Sequence, residues 1–198
     1  ATGIFPNTGL PLPFISYGGS KMQEIAMSIL DIAYNSIRAN ASLIKILIHD
    51  SNNLNIINIR IIDNGKGMEQ ATIKKVVDPF YTTRTTRKVG LGIPMFKENI
   101  EATGGKFLIE STINVGTKVE GEFVKRHIDC PPMGNIVDTI ITLIQADDKI
   151  DYLFKYTSDD FEFVLDTKEI KKILDGIPIN LPDVIIWLKD YIKEGLHK

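Results

Sequence analysis

The chain has 198 residues, of which 43% are hydrophobic and 24% are charged, and its formal net charge is −2. These values are typical of a globular chain that buries a core, either as one domain with an appendage or as two small domains. The charge balance argues against a duplex nucleic acid as partner. The sequence contains no run of about 20 apolar residues, so it predicts no membrane span.

The first 21 residues differ in composition from the rest. Residues 1–20 contain three prolines, four glycines and no charged side chain. The stretch from Thr8 to Ser20 resembles a loop motif of the polytopic cell-wall polymerases of cell division and shape, without the membrane spans that this motif joins. We therefore interpret 1–21 as an appended peptide, such as a fusion or cloning remnant. The alternative is an arm that docks on a neighbouring subunit through Phe5, Phe14 and Tyr17.

Between residues 22 and 124 the sequence alternates between helical and strand patterns. The spacing of Ile25, Ile29, Ile32 and Ile37 predicts a helix over 22–40. The further predicted elements are strands over 43–49 and 56–62, a turn at 63–67, a helix over 69–77, a polar loop over 82–88, a helix over 93–103, and strands over 107–111 and 118–124. Helices on one face of a mixed, mainly antiparallel sheet form an α+β fold, a two-layer α/β sandwich.

Three short motifs lie within this region. They are Asp31-Ile-Ala-Tyr-Asn35, Asp63-Asn-Gly-Lys-Gly67 and Gly90-Leu-Gly92. Their order and spacing resemble the ATP-binding domain shared by gyrase-type topoisomerases, heat-shock chaperones, histidine kinases and mismatch-repair ATPases. The resemblance implies a Bergerat-type ATP-binding fold over 22–124, with ATP and Mg²⁺ as its ligands.

Asp31 and Asn35 are four residues apart on the predicted helix, so they share one face. The resemblance assigns Asn35 to Mg²⁺, which prefers oxygen ligands. Asp31 would then act as the general base that polarises a water or an incoming hydroxyl. Most hydrolysing relatives have glutamate at this position, and aspartate is one methylene shorter. The alternative is a solvated carboxylate and amide on an amphipathic helix.

Asp63 follows a predicted strand and opens a glycine-rich turn. A carboxylate there can accept a hydrogen bond from the exocyclic amine of adenine, a contact that guanine cannot reproduce. Gly65 and Gly67 allow positive φ and a close backbone approach. The resemblance places the Thr117 hydroxyl beside the base. The alternative is a plain turn, since Asp-Asn-Gly is common turn chemistry.

Gly90, Leu91 and Gly92 precede a predicted helix whose unpaired amides would bind phosphate. The loop before them carries basic and hydroxyl side chains that can bind the β- and γ-phosphates. We expect this loop to be a lid that nucleotide orders, or alternatively a solvated surface loop. Its candidate phosphate ligands are Thr83, Arg84, Thr86, Arg87 and Lys88.

Residues 125–198 are predicted to form a small C-terminal α/β module for protein interaction. Helices are expected over 134–146, 167–174 and 182–196, and a hairpin over 150–156 and 161–165. Trp187, with Ile185, Ile186, Leu188 and Ile192, is interpreted as core or as a partner-facing surface. The single cysteine of the chain, Cys130, cannot form an internal disulfide, which favours a reducing, cytoplasmic compartment.

Together these patterns predict a Mg²⁺-dependent ATP-binding protein. It would either hydrolyse ATP slowly or transfer phosphoryl to an unidentified protein partner, by positioning and charge neutralisation. The alternative is a non-catalytic module whose nucleotide state regulates a partner. A homodimer is one of the oligomeric states that the sequence leaves open.

Overall fold

The computed structural model describes residues 23–78 and 92–197. Its helices and strands follow the predicted order, and most of their ends lie within about two residues of the predicted ends. The elements are α1 Ile25–Arg38, β1 Leu43–Ser51, β2 Ile56–Asp63, α2 Gln70–Val76, α3 Gly92–Ala102, β3 Lys106–Thr112, β4 Gly116–Val124, α4 Ile136–Ala146, β5 Asp151–Ser158, β6 Glu162–Asp166, α5 Thr167–Ile173 and α6 Pro182–Leu196.

The six strands form one sheet in the order β3-β4-β2-β1-β5-β6. Strand β5 runs parallel to β1, whereas every other neighbouring pair is antiparallel. The strands of the C-terminal third therefore extend the sheet of the preceding region, because β5 pairs with β1 along its whole length.

The helices lie against one face of this sheet. Alternate strand residues are buried, as at Ile44, Ile46 and Ile48 of β1, whereas the residues between them are only partly buried. Helix α1 packs between α3 and α4, and α4 packs against α6. The predicted α+β two-layer sandwich is confirmed, because helices cover one face of the sheet and the described residues place no helix on the other.

Helix α1 carries a buried apolar stripe that includes Ile25, Ile29 and Ile32. Among the described residues, no side chain caps its first amides. Instead, the amides of Ile25 and Ala26 donate to the carbonyls of Pro132 and Met133, at 3.0 and 2.8 Å. The segment that leads into α4 therefore satisfies donors that a helix N-terminus leaves unpaired.

Helix α6 divides the predicted apolar cluster around Trp187 between core and surface. Ile185, Leu188 and Ile192 are buried, whereas Ile186 and Trp187 are exposed. The Trp187 ring stacks on Tyr191 with 5.4 Å between ring centroids. Among the described residues, no helix is both long and apolar enough to span a membrane.

Candidate functional site

Asp63 is the last residue of β2, and its carboxylate lies on the helix-covered face. Its Oδ2 accepts a hydrogen bond of 2.6 Å from the Ser36 hydroxyl on α1. Its Oδ1 accepts from the backbone amides of Gly65, at 2.9 Å, and Thr117, at 3.3 Å. Three donors from three separate segments therefore fix the orientation of this carboxylate.

The turn after Asp63 lies against the β3–β4 hairpin at Gly67, which has a φ of +64°. A Cβ atom at Gly67 would lie 2.0 Å from the carbonyl oxygen of Thr112, so only glycine fits. The Asn114 amide also donates to the Lys66 carbonyl at 2.8 Å. These contacts hold the turn against the hairpin.

The same turn also lies against the C-terminal end of α1. The Lys66 amide donates to the Ala39 carbonyl at 2.9 Å, and a Cβ atom at Gly65 would lie 2.8 Å from that oxygen. On the other side, the Asn64 side chain accepts from the Ser42 and Leu43 amides, each at 2.9 Å. The glycines predicted for close approach therefore do face neighbouring backbone.

Asp31 and Asn35 lie one turn apart on α1, as their spacing predicts. Asp31 is exposed, and its Oδ2 accepts from the side-chain nitrogen (Nε2) of Gln23 at 3.1 Å. Asn35 is half-buried, and its Oδ1 is 3.5 Å from a guanidinium nitrogen of Arg38. A Cβ atom at Gly92 would lie 2.9 Å from Asp31 Cβ, so the start of α3 packs directly against this turn of α1.

The predicted phosphate loop falls largely outside the described residues. This applies to Gly90 and Leu91 and to the whole set of lid candidates, which are Thr83, Arg84, Thr86, Arg87 and Lys88. Of the predicted glycine motif, only Gly92 is described. The lid and the phosphate contacts therefore stay predictions.

Two serines at the site were not among the predicted residues. Ser36 is buried and donates to Asp63, and Ser111 is buried at the end of β3. The Ser111 hydroxyl is hydrogen-bonded to the Thr117 hydroxyl at 2.9 Å. Ser36 had a detectable signal, because it is a polar residue on the apolar stripe of an amphipathic helix. Ser111 had none, since its partners come from other segments.

A groove of about 360 Å³ borders this end of the sheet from its open face. Leu43, Lys45, Ile62 and Lys118 line it. These residues alternate with the buried positions of β1, β2 and β4, so their side chains point away from the helices. Asp63, Ser111 and Thr117 also border the groove, so it reaches the end of the sheet at which these three residues lie.

The side-chain oxygen of Asn35 on α1 suits a magnesium ion that is bound together with a nucleotide. Mg²⁺ usually keeps several waters and takes few protein ligands besides phosphate oxygens. Asn35 offers an amide oxygen whose described contact, to Arg38, is at the long limit of a hydrogen bond. Within the described ranges, no three or more His, Cys, Asp or Glu residues are grouped so that they could hold a metal ion by themselves.

Residues 21–127 match the family described as histidine kinase-, DNA gyrase B-, and HSP90-like ATPase. A sensor-type protein of Shewanella frigidimarina is 32% identical over 110 residues, which cover 55% of this chain and 16% of that protein. The sensor histidine kinase YvrG of Bacillus subtilis is 29% identical over 96 residues, covering 46% of this chain and 17% of the kinase. The chain thus spans less than a fifth of either relative.

Among solved structures, the N-terminal domain of a DNA repair protein aligns with a TM-score of 0.52 at 15% identity. The alignment covers 72% of this chain and 52% of that domain. At this identity the likeness is one of fold.

Proposed function

This chain belongs to the histidine kinase-, DNA gyrase B-, and HSP90-like ATPase family, and on that premise we propose that it binds MgATP and acts on the γ-phosphate. The observation that carries the proposal is the carboxylate of Asp63, which is held by Ser36, Gly65 and Thr117 at the end of β2. Asp31, Asn35 and Gly92 lie beyond it along α1 and at the start of α3.

Asp63 is the proposed adenine contact. An ionised carboxylate has only acceptors to offer, and an exocyclic amine is the donor that matches it. A guanine base would present its carbonyl oxygen to the same carboxylate, and the two acceptors would repel each other. The three donors on Asp63 support this role, because they hold the carboxylate in one orientation before any ligand arrives.

Asn35 and Asp31 are proposed for the phosphate end of the nucleotide. Asn35 would hold Mg²⁺ through its amide oxygen, and the ion would neutralise phosphate charge when bound. Asp31, exposed and adjacent to Gly92, is the proposed general base. Gly90, Gly92 and the 82–88 loop would contact the phosphates, as the motif predicts.

Phosphoryl transfer to a protein is the preferred reaction, with slow hydrolysis as the second form. Two of the relatives named above are sensor proteins, and one of these is a histidine kinase. A protein with this activity needs a partner that presents the accepting side chain, and we expect both to act in the cytoplasm.

A non-catalytic, nucleotide-gated module is the alternative function. It is favoured by the side chain at position 31, because Asp31 is one methylene shorter than the glutamate that the family resemblance implies for hydrolysing members. The Asp31 carboxylate accepts a hydrogen bond from the side chain of Gln23. Such a module would bind MgATP and change its affinity for a partner without breaking a phosphate bond.

Incubation with γ-labelled ATP and a cell extract separates these functions. Label on a protein supports phosphoryl transfer, label released as phosphate supports hydrolysis, and label retained in ATP supports the module. Asp31→Asn should abolish either reaction while leaving ATP affinity within about twofold, because the substitution removes the base but keeps the size of the side chain. Gln23→Ala is the matched control, since it removes the partner of Asp31 without removing the carboxylate.

A further inference from the structure

Ser111 makes three hydrogen bonds with three different parts of the site. Its Oγ accepts from the Met68 amide at 2.8 Å and donates to the Gly116 carbonyl at 3.0 Å. It is also 2.9 Å from the hydroxyl oxygen of Thr117, its cross-strand neighbour on β4. The residue is only 9% exposed, so water does not compete freely for these bonds.

The direction of the third bond follows from the other two. A hydroxyl has one proton and two lone pairs. The Gly116 carbonyl can only accept, so it takes the Ser111 proton, and the Met68 amide can only donate, so it occupies one lone pair. The remaining lone pair must accept, and Thr117 is therefore the donor in the bond between the two hydroxyls.

This assignment leaves Thr117 as an acceptor towards any ligand. Its single proton is used on Ser111, and only its lone pairs remain. Asp63 is also an acceptor, since its carboxylate accepts from the Ser36 hydroxyl and from the backbone amides of Gly65 and Thr117. The two polar side chains at the paired ends of β2 and β4 thus offer acceptors alone.

We propose that Ser111 is a positioning residue for base selection, which makes this subsite acceptor-only and thereby favours 6-aminopurine over 6-oxopurine nucleotides. The inference rests on the proposed binding of ATP near Asp63 and Thr117. An amine at position 6 of the purine brings two protons to these acceptors, whereas a carbonyl brings lone pairs against lone pairs.

Without Ser111, the hydroxyl of Thr117 is free to rotate. It can then donate to a 6-oxo group, so the penalty against such a base decreases. Asp63 still repels the oxo group, so selection should weaken and not vanish. The expected change is roughly three- to tenfold, the range of one ordinary hydrogen bond.

The test compares the dissociation constants of ATP and ITP, which differ at position 6 of the purine, measured by calorimetry on the full chain with Mg²⁺. The wild-type protein should bind ATP more tightly. Ser111→Ala should reduce the ratio of the ITP dissociation constant to the ATP dissociation constant roughly three- to tenfold. Thr117→Ser keeps a hydroxyl in place and should preserve the ratio. In a Thr117→Val background, Ser111→Ala should leave the ratio unchanged, because its effect passes through the Thr117 hydroxyl.

A purely structural role predicts a different result. ATP and ITP affinities would then decrease by the same factor in Ser111→Ala. That result overturns the inference but does not contradict the proposed binding of ATP. If Ser111→Ala does not fold, Ser111→Cys replaces it, since a thiol fills the space but is a weak hydrogen-bonding group. Failure of the wild-type chain to bind ATP would instead overturn the proposed function, and this inference with it.

Discussion

Replacing Asp63 with asparagine changes one acceptor into a donor at a fixed orientation. In the native site, Oδ1 accepts two backbone protons, from Gly65 and Thr117. The asparagine oxygen must take that position, because its amide group would otherwise meet two other donors. The amide group then occupies the Oδ2 position beside Ser36, where the hydroxyl can rotate to accept from it. The folded state should therefore lose little stability.

Nucleotide binding should decrease sharply in the same variant. The adenine amine loses a hydrogen bond to a charged acceptor, which contributes about 1.5–3 kcal/mol, and a donor then faces a donor, at about 1 kcal/mol more. The sum of about 2.5–4 kcal/mol corresponds to a dissociation constant roughly 60- to 700-fold higher. Calorimetric titration with MgATP measures this change, and thermal denaturation without nucleotide checks the fold.

Asp159→Asn is the matched control for this substitution. Asp159 also accepts from a serine hydroxyl, that of Ser51, and from two backbone amides, those of Asn52 and Asn53. It lies beyond the C-terminal end of β1, at the opposite end of the strand from Asp63. ATP affinity should be unchanged in this variant. If Asp63→Asn binds ATP within twofold of the wild type, the assignment of the adenine contact is wrong.

Three further predictions concern stability. Gly116→Ala should destabilise the fold by about 2–4 kcal/mol, because φ is +133° and a Cβ atom would lie 1.9 Å from the Asp63 carbonyl oxygen. Gly104→Ala should cost only about 1 kcal/mol, since φ is +74° but the space around a Cβ atom is open. Equal losses of stability for the two variants in urea unfolding would contradict this prediction. Tyr152→Phe should be neutral or stabilising by about 1 kcal/mol, since the hydroxyl of Tyr152 is buried without a partner among the described residues. If the variant instead loses more than about 1 kcal/mol of stability in urea unfolding, the hydroxyl does make a hydrogen bond. Hydrogen bonds from the Ser51 hydroxyl and the two adjacent backbone amides lower the pKa of Asp159 in the folded state. Its stabilising effect should therefore be present above the ordinary carboxylate pKa of about 3.9 and be lost as pH falls through the lower folded-state pKa. Asp159→Asn should lack this pH-dependent loss of stability in acid denaturation.

Local sequence patterns were sufficient to predict the order and type of the elements. The isoleucine spacing on α1 and the alternation in β1 and β2 each express one buried face, and such periodicity is readable within a short window. The glycines at 65 and 67 indicated a turn with close backbone approach, and their neighbours in the fold are indeed backbone atoms. The same logic paired Asp31 with Asn35 on one face of a helix.

Contacts between distant segments could not be derived in this way. Ser36 lies 27 residues from Asp63, and Ser111 lies 43 residues from Met68, yet both bonds are shorter than 3 Å. Neither partner follows from hydrophobic periodicity, since the pairing depends on how the helix layer and the β3–β4 hairpin sit on the sheet. The parallel pairing of β5 with β1 is of the same kind.

The sequence by itself therefore determined which residues could accept a donor or approach a phosphate, because side-chain chemistry and local spacing are properties of the chain. Only the tertiary structure decided how those groups are oriented. The direction of the Thr117 hydroxyl and the fixed carboxylate of Asp63 depend on protons from Ser36, Gly65 and Met68 that meet at one end of the sheet. Hydrogen bonds are directional and short, so this arrangement exists only once strand register and helix packing are set.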